Sequence, residues 1–353
     1  FFNNMKKVIL ILLVSIFISC SAQNKDTVLN FKLINTKQLT ENGDNGEAYF
    51  SSDDSRLIFQ SKRNGDGCDK IYTMTIDGED IKPIPQTDGA FTCSYFSLND
   101  EYIFFSSTLQ DGVQCPLVYK DPNPRKYIWP LRNFEIYRLS KDQKLKNLTN
   151  SIGYDAEATV HPYEEKIIFT SLRNGDIDLY EMDYDGNNLK RITNTFGYDG
   201  GAFYSPDGNK IVWRAWYPKN EEDITKWKNN LSKSYIESVP LDIYIANRDG
   251  SNKIQLTNNG ATNWSPSWHP TGDYIVFSSN MDDWLDEFDS YGPNFELYLM
   301  EIKTGKITRL TNNKTFDSFP VFSKDGTKLV YSSNNNTKNK RQTNIFISDV
   351  VFD

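Results

Sequence analysis

The amino-acid sequence predicts an all-β protein, a six-bladed β-propeller built from four-stranded blades. Three observations predict it: one unit of turns and β-rich runs recurs six times, each copy has an aromatic residue in its third strand, and an unpaired strand motif near the N-terminus completes the last copy. Four antiparallel strands in each of several tandem units are typical of propellers.

The first two strands of each unit flank a turn of the Ser-Pro-Asp-Gly type. The clearest copy is Ser205-Pro206-Asp207-Gly208, and equivalent turns begin at Ser51, Ser97, His161, His269 and Ser323. The run that follows each turn, such as Ile167-Ile168-Phe169, is rich in β-branched and aromatic residues and predicts a strand.

The last two strands of each unit form a hairpin. The third strands are marked by Tyr72, Tyr137, Tyr180, Tyr244, Tyr298 and Phe346. Several of them run into Asp-Gly, a pair of residues that closes tight hairpins. The fourth strand then ends in Leu-Thr or Ile-Thr in four copies, for example at Leu256-Thr257.

The ends of the chain complete one blade together. The sixth copy stops after its third strand, whereas Lys37-Gln38-Leu39-Thr40 is a fourth-strand motif with no strands before it. We therefore expect the N-terminal strand to complete the last blade, which closes the ring and removes an exposed sheet edge.

The N-terminus carries a secretion signal. Lys6 and Lys7 precede a short apolar run at residues 8–18, and residues 1–4 precede Met5 and look untranslated. Phe17-Ile18-Ser19-Cys20 resembles the lipobox of bacterial lipoproteins, with Phe in place of the usual Leu, which implies lipidation of Cys20. The alternative is an ordinary secretory signal.

These features predict the domain organisation and the location. Residues 1–19 are the signal peptide, residues 20–30 a lipidated tether, and residues 31–353 a single propeller. The apolar run is too short to span a bilayer, so the lipid is the predicted membrane anchor. The residue after Cys20 is Ser21, whereas an Asp at that position would resemble an inner-membrane retention signal. We expect an outer-membrane lipoprotein, periplasmic or surface-exposed.

Composition and motifs argue against several functions. A formal net charge of -8 disfavours nucleic-acid binding, which needs a basic surface. Only two histidines are present, and the sequence has no Gly-x-Ser-x-Gly, phosphate-loop, dinucleotide or His-Glu-x-x-His motif. We therefore predict no catalytic residue, no cofactor and no metal site.

Three cysteines remain when Cys20 is set aside. Cys68, Cys93 and Cys115 are an odd number for an oxidising compartment, so one disulfide and one spare thiol are expected. The spacing leaves all three pairings open. A site made of three thiolates is the weaker alternative, because the paired spacing of zinc ligands is lacking.

Three repeats are longer than the others, and all the extra residues lie between strands two and three. These insertions, at roughly 109–133, 216–240 and 282–294, share one face of the ring with the loops that enter strand one. We call it the insertion face, and the opposite side the turn face. Trp216 and Trp284 are candidate ligand-binding aromatics there; the alternative is packing against neighbouring blades.

A ring of polar residues enters the first strands. The equivalent positions in five copies are Asn45, Asp155, Asp199, Asn263 and Asp317. Two residues further on, the six copies carry Glu47, Cys93, Glu157, Gly201, Ser265 and Phe319, which we expect at the mouth of the central channel. Acidic side chains there suit a cation, a basic peptide or a sugar. The alternative is that each Asp or Asn only bonds its own turn.

The repeat resembles that of the TolB-like, WD-repeat-like propellers, a family built on the Ser-Pro-Asp-Gly unit, over residues 31–353. The resemblance implies the propeller fold, but the family includes periplasmic scaffolds and propellers attached to peptidases and other enzymes. Because the chain has no room for the separate N-terminal domain of TolB, we expect a relative rather than TolB itself.

The function that these features favour is a lipid-anchored, non-enzymatic scaffold of the cell envelope. We expect a monomeric propeller that binds an envelope protein, peptide or glycan. One alternative is a hydrolase or lyase that acts on a polysaccharide or peptide through carboxylates at the channel mouth. Another is a glycan-binding protein that uses the inserted tryptophans.

Overall fold

The computed structural model describes residues 31–85, 88–112, 115, 128–335 and 342–352. It contains six four-stranded antiparallel sheets, and the first strand of each sheet contacts the first strand of the next around a closed ring. The protein is therefore a six-bladed β-propeller, which confirms the predicted fold. The predicted signal peptide, Cys20 and the tether lie outside the described residues.

Each blade runs from an inner strand on the channel to an outer strand at the rim. Blades 1 to 3 consist of β2 (Asp44–Phe50), β3 (Arg56–Lys62), β4 (Lys70–Thr75) and β5 (Lys82–Pro83); β6 (Phe91–Phe96), β7 (Tyr102–Ser107), β9 (Glu135–Ser140) and β10 (Leu145–Asn147); and β11 (Asp155–Val160), β12 (Lys166–Ser171), β13 (Asp178–Asp183) and β14 (Lys190–Arg191). Blades 4 to 6 consist of β15 (Tyr198–Tyr204), β16 (Lys210–Trp216), β18 (Asp242–Asn247) and β19 (Ile254–Gln255); β20 (Asn263–Trp268), β21 (Tyr274–Ser279), β24 (Glu296–Glu301) and β25 (Ile307–Arg309); and β26 (Asp317–Phe322), β27 (Lys328–Ser333), β28 (Asn344–Phe352) and β1 (Phe31–Gln38).

The core lies between adjacent blades. Ile167, Ile168 and Phe169 of β12 are all fully buried, although their side chains point to opposite faces of the sheet. Both faces are covered because a blade packs against a neighbour on each side. This explains why second strands read as continuous apolar runs rather than as alternating ones.

The ring closes as predicted. β1 pairs antiparallel with β28, from Phe31 opposite Phe352 to Gln38 opposite Phe346. The Leu39 amide extends the ladder with a 2.8 Å hydrogen bond to the Ile345 carbonyl. The N-terminal strand is therefore the fourth strand of blade 6.

The insertions connect the second and third strands of blades 2, 4 and 5 and contain secondary structure of their own. These elements are β8 (Ile128–Pro130), helix α1 (Glu221–Ser232), β17 (Tyr235–Glu237), β22 (Trp284–Leu285) and β23 (Ser290–Tyr291), with 3-10 turns at Leu109–Asp111 and Asp286–Phe288. β8 pairs with β17 and β22 pairs with β23. The helix is an addition to the predicted all-β architecture. In the part of the chain that the structure describes, no helix is both long and apolar enough to cross a membrane.

Candidate functional site

Every innermost strand has the same bulge, and the bulge forms the channel lining. The pairing register shifts at one point in each of β2, β6, β11, β15, β20 and β26. At that point lie Glu47, Cys93, Glu157, Gly201, Ser265 and Phe319, all with φ between 49° and 62°. All six surround one central cavity. A bulge re-aims a side chain out of its sheet, and here one residue from each blade lines the axis.

The predicted Asp/Asn ring lies behind this lining rather than in it. Asn45, Asp155, Asp199, Asn263 and Asp317 are all buried, and the cavity wall does not include them. Arg173 donates to both carboxylate oxygens of Asp155 at 3.0 Å. Asn45 accepts from Ser61 at 2.8 Å, and Asn263 accepts from Ser279 at 2.9 Å.

The other two members of this ring are also hydrogen-bonded to nearby side chains. Asp199 accepts from the Trp213 indole at 2.6 Å and from the Tyr217 hydroxyl. Asp317 accepts from Asn313 at 2.7 Å. Burial raises the pKa of both Asp199 and Asp317 to about 6. These contacts fit the view that the ring shapes the entry into each first strand.

A buried ion pair crosses the channel between blades 3 and 4. Arg214 of β16 is only 3% exposed and donates to Glu157 Oε1, while Thr170 donates to Glu157 Oε2 at 2.8 Å. Burial lowers the pKa of Arg214, but the Glu157 carboxylate together with Tyr198 and Tyr154 outweighs burial, and the net shift is upward. Glu157 is thus one of the predicted site residues, and Arg214 is a partner that the repeat pattern did not reveal.

Aromatic rings surround the same guanidinium. The Arg214 Cζ lies 3.9 Å from the ring centroid of Trp264, 5.4 Å from that of Trp129 and 5.6 Å from that of Tyr198. Cation–π contacts of this kind are worth about 2 kcal/mol when desolvated. The ion pair is therefore held on its insertion-face side by rings from three elements.

Gly201 makes room for this arrangement. Its φ is 61°, and a Cβ built on it would lie 1.7 Å from Arg214 Nη1. Glycine is needed here because any side chain would clash with the guanidinium or displace it. The left-handed backbone alone does not require glycine, since the equivalent residues of the other five blades adopt it as well. Gly201, the smallest residue of the channel lining, therefore lies directly against the Arg214 guanidinium.

Glu47 is the second carboxylate in the channel. Burial raises its pKa to about 7; the Cys93 thiol stabilises its charged form, whereas the nearby Glu157 carboxylate disfavours it. The Cys93 thiol is free and buried, and burial, followed by the Glu47 carboxylate, raises its pKa. Among the described residues, Glu47 has no Lys or Arg within salt-bridge distance.

The cavity is small and ends at an aromatic floor. Tyr49 lies 5.0 Å from Tyr95 and 5.9 Å from Phe203, measured between ring centroids. These rings stand on the turn-face side of the bulge residues. The space that the centre of a water molecule can occupy is about 30 Å³.

The first two insertions cover part of the insertion face together. β8 pairs with β17 across blades 2 and 4, and Trp227 of α1 donates to Asp176 at 2.8 Å. Trp216 is partly buried and lies 5.4 Å from Trp227 between ring centroids. The structure therefore places the predicted ligand-binding Trp216 in a packed cluster beneath the helix.

One disulfide links this cover to blade 1. Cys68, in the loop between β3 and β4, is bonded to Cys115 of the first insertion. The structure thereby selects one of the three pairings that the sequence left open, with Cys93 as the spare thiol in the channel.

The third insertion presents its aromatics to solvent. Trp284 is 48% exposed and Phe288 45% exposed, and Asp286, Glu287 and Asp289 beside them are also exposed. The predicted ligand-binding residues therefore fall into separate places. Glu47 and Glu157 meet in the channel, the Asp/Asn ring lies behind them, and Trp284 stands apart on the surface.

Both histidines lie far from these features. His161 and His269 are buried in turn-face loops, where the ring of His161 bonds the Tyr163 and Glu164 amides. Within residues 31–352, less the undescribed stretches, no three His, Cys, Asp or Glu side chains are grouped so as to hold a metal ion.

No family model matches this chain. The Tol-Pal system protein TolB of Francisella tularensis subsp. holarctica is 35% identical over 113 residues, which are 31% of this chain and 23% of that protein. The chain has the fold of the TolB propellers. Its match thus spans about a quarter of the length of the curated relative.

Solved structures show the same architecture. A candidate TolB from Agrobacterium tumefaciens has a TM-score of 0.57 at 16% identity and covers 91% of this chain and 98% of that one. TolB from Acinetobacter baumannii has a TM-score of 0.54 at 16% identity, covering 87% of this chain and 63% of that one. An oligogalacturonate lyase from Vibrio parahaemolyticus has a TM-score of 0.52 at 13% identity, covering 91% and 96%. At these identities the likeness shows the fold alone, and the fold is common to TolB proteins and to a lyase, so function must be argued from the sites.

Proposed function

We propose that the protein is a binding scaffold of the bacterial cell envelope, lipid-anchored through Cys20 and presenting its insertion face to an envelope protein or peptide. The similarity to TolB, a protein of the Tol-Pal system, supports an envelope role. The lipobox-like Phe17-Ile18-Ser19-Cys20 supports the anchor. The observation that carries the proposal is the exposed aromatic hairpin of blade 5.

This hairpin, residues 282–294, has a defined shape. Trp284 packs edge-on against Tyr291, with ring centroids 4.9 Å apart, and the Tyr291 hydroxyl donates to the Asn259 carbonyl at 2.8 Å. The Asp283 carboxylate accepts from the Asn294 amide at 2.7 Å. A fixed loop that leaves large aromatic side chains in water is typical of a recognition surface, since such residues dominate binding energy.

The first described residue, Phe31, and the hairpin lie at opposite faces of the ring. β1 is a fourth strand, so it begins at the turn face and ends at the insertion face. The tether of residues 20–30 therefore joins the propeller at the turn face, and when extended it spans at most about 40 Å. In this arrangement the membrane faces the turns, and the insertion face points away from it.

Removing the hairpin aromatics is expected to release the partner. We expect the double variant Trp284→Ala and Phe288→Ala to retain at least about tenfold less of a stoichiometric envelope protein, because loss of two such anchors typically exceeds 1.4 kcal/mol. The measurement is quantitative mass spectrometry after purification from gently solubilised membranes of the source organism.

Two controls make this experiment specific. Tyr163→Ala removes a 70% exposed aromatic from the turn face and should leave recovery unchanged. Cys20→Ser should release the protein from the membrane fraction. Equal recovery of the partner by the hairpin variant and the wild type, or absence of any stoichiometric partner, would refute the scaffold proposal.

A second candidate function is an enzyme that cleaves a polysaccharide or peptide, and one observation favours it. The pKa of Glu47, raised by burial to about 7, suits a general acid or base at neutral pH. We expect Glu47→Gln in that case to lower turnover of an oligogalacturonate or peptide mixture by a factor of about 10² to 10⁴. Product formation followed by mass spectrometry, with Glu222→Gln on α1 as control, tests it. Wild-type protein that forms no product would exclude the activity for those substrates.

A further inference from the structure

We infer that the central channel binds a primary ammonium group, such as the side-chain amine of a lysine on a partner, with the Glu47 carboxylate as its counter-ion. This goes beyond the scaffold role, because it assigns a second site with its own ligand chemistry. The inference stands on the charge and on the lining of the cavity, which are separate observations.

The charges in the channel do not balance. Glu157 is paired with Arg214. The same guanidinium lowers the pKa of Glu47 by its charge but forms no salt bridge with it. The Cys93 thiol beside Glu47 carries no positive charge, and the Asp69 carboxylate adds to the negative charge around it. A carboxylate that is largely desolvated and has no partner is costly, and a cationic ligand would supply the missing charge.

The rest of the lining suits an ammonium ion. The side chains of Tyr49, Phe203 and Phe319 contribute aromatic rings to the cavity wall, and rings attract cations. Ser265 is 8% exposed, and its hydroxyl has no hydrogen-bond partner among the described residues. That hydroxyl oxygen can accept one ammonium N–H while Glu47 accepts another.

The hydrogen-bond acceptors of the wall select the kind of cation. An –NH₃⁺ group has three N–H donors for the Glu47 carboxylate and the Ser265 hydroxyl, whereas a tetraalkylammonium ion has none. A calcium ion prefers six to eight oxygen ligands, whereas this wall offers one unpaired carboxylate and a few hydroxyls. Glu47 is only partly buried, so a ligand can reach it from solvent.

The test uses Cys93 as a reporter, because its thiol lies beside Glu47. In the full chain carrying Cys20→Ser, with the Cys68–Cys115 disulfide intact, Cys93 is the free thiol. Its modification by methyl methanethiosulfonate at pH 8 is followed by intact mass. We expect saturating butylammonium chloride to slow modification at least fivefold, and tetramethylammonium chloride at equal ionic strength to leave the rate unchanged.

Substitutions identify the counter-ion. Glu47→Gln should abolish the protection by butylammonium, and Glu222→Gln on the exposed side of α1 should keep it. Glu47→Gln is expected to fold, with a higher melting temperature than wild type at pH 8, because it removes a buried charge. Protection should also weaken at pH 5.5, where Glu47 is mostly neutral while Arg214 stays charged and Cys93 stays protonated.

Thermal stability is a second readout, which applies even if the Cys93 thiol reacts slowly. Butylammonium should raise the melting temperature of the wild type in proportion to site occupancy and leave that of Glu47→Gln unchanged. Absence of both effects in the wild type, or equal effects in Glu47→Gln or with tetramethylammonium, would overturn the inference. Because no partner protein is used, these results do not depend on the outcome of the hairpin experiment.

Discussion

Deleting residues 31–41 is expected to prevent the propeller from folding as a soluble monomer. The deletion removes all of β1 together with Leu39, and Phe31 and Leu39 are both buried. Losing side chains of this size from a core costs about 3–5 kcal/mol for Phe and about 2–5 kcal/mol for Leu. The sum approaches the whole stability of an ordinary domain, which is about 5–15 kcal/mol.

The deletion also leaves β28 as an open edge. β28 has nine residues and is the longest strand that the structure describes. Its backbone groups on one side would lose their partners. Long unpaired edges promote association between chains. We therefore expect the truncated protein in aggregates rather than in a partly folded monomer.

Size-exclusion chromatography and thermal unfolding test this prediction. The single variants Phe31→Ala and Leu39→Ala should stay folded, and each should lose only the stability expected for its own side chain. This separates the effect of the strand from failure to express. Removal of residues 21–30 is the matched control and should leave the melting temperature unchanged. A truncated protein lacking residues 31–41 that melts at the wild-type temperature would disprove closure by β1.

The sequence predicts the ring well because the fold repeats. An error in any one strand is corrected by five copies of the same pattern, and the N-terminal motif at Leu39-Thr40 is recognisable by comparison with Leu310-Thr311. The position two residues after the Asp/Asn ring also predicts the channel lining, since each copy carries the same bulge. Features that recur are therefore the ones that one sequence reveals.

Features that occur once were missed, although two had local signals. Asn220 caps α1 by accepting from the Asp223 amide at 2.9 Å, and acidic residues fill the first turn, as expected at a helix start. Arg214 could have been recognised because it is a charged residue within the otherwise apolar run at residues 211–216. The pairing of β8 with β17 gave no signal, because it joins insertions about a hundred residues apart.

Replacing Arg214 by methionine is expected to destabilise the protein by about 3–5 kcal/mol, because it leaves the Glu157 carboxylate buried without its cation. The loss also includes the contacts of the guanidinium with Trp264, Trp129 and Tyr198. Lys144→Met is the control: its salt bridge with Asp142 is largely exposed, and exposed pairs contribute about 0–1 kcal/mol. Denaturant unfolding measures both variants.

The pH dependence distinguishes lost charge pairing from lost packing. In Arg214→Met the carboxylate can be relieved by protonation, so the destabilisation should be smaller at pH 5 than at pH 8. In Glu157→Gln the unpaired group is an arginine, which keeps its proton, so that variant should be destabilised about equally at both values. The double variant should recover part of the stability of Arg214→Met at pH 8. The opposite result would be a loss of stability in Arg214→Met that does not change with pH and is not relieved by Glu157→Gln. Arg214 would then act by filling space between the tryptophans. The ion pair would have no energetic role in the channel.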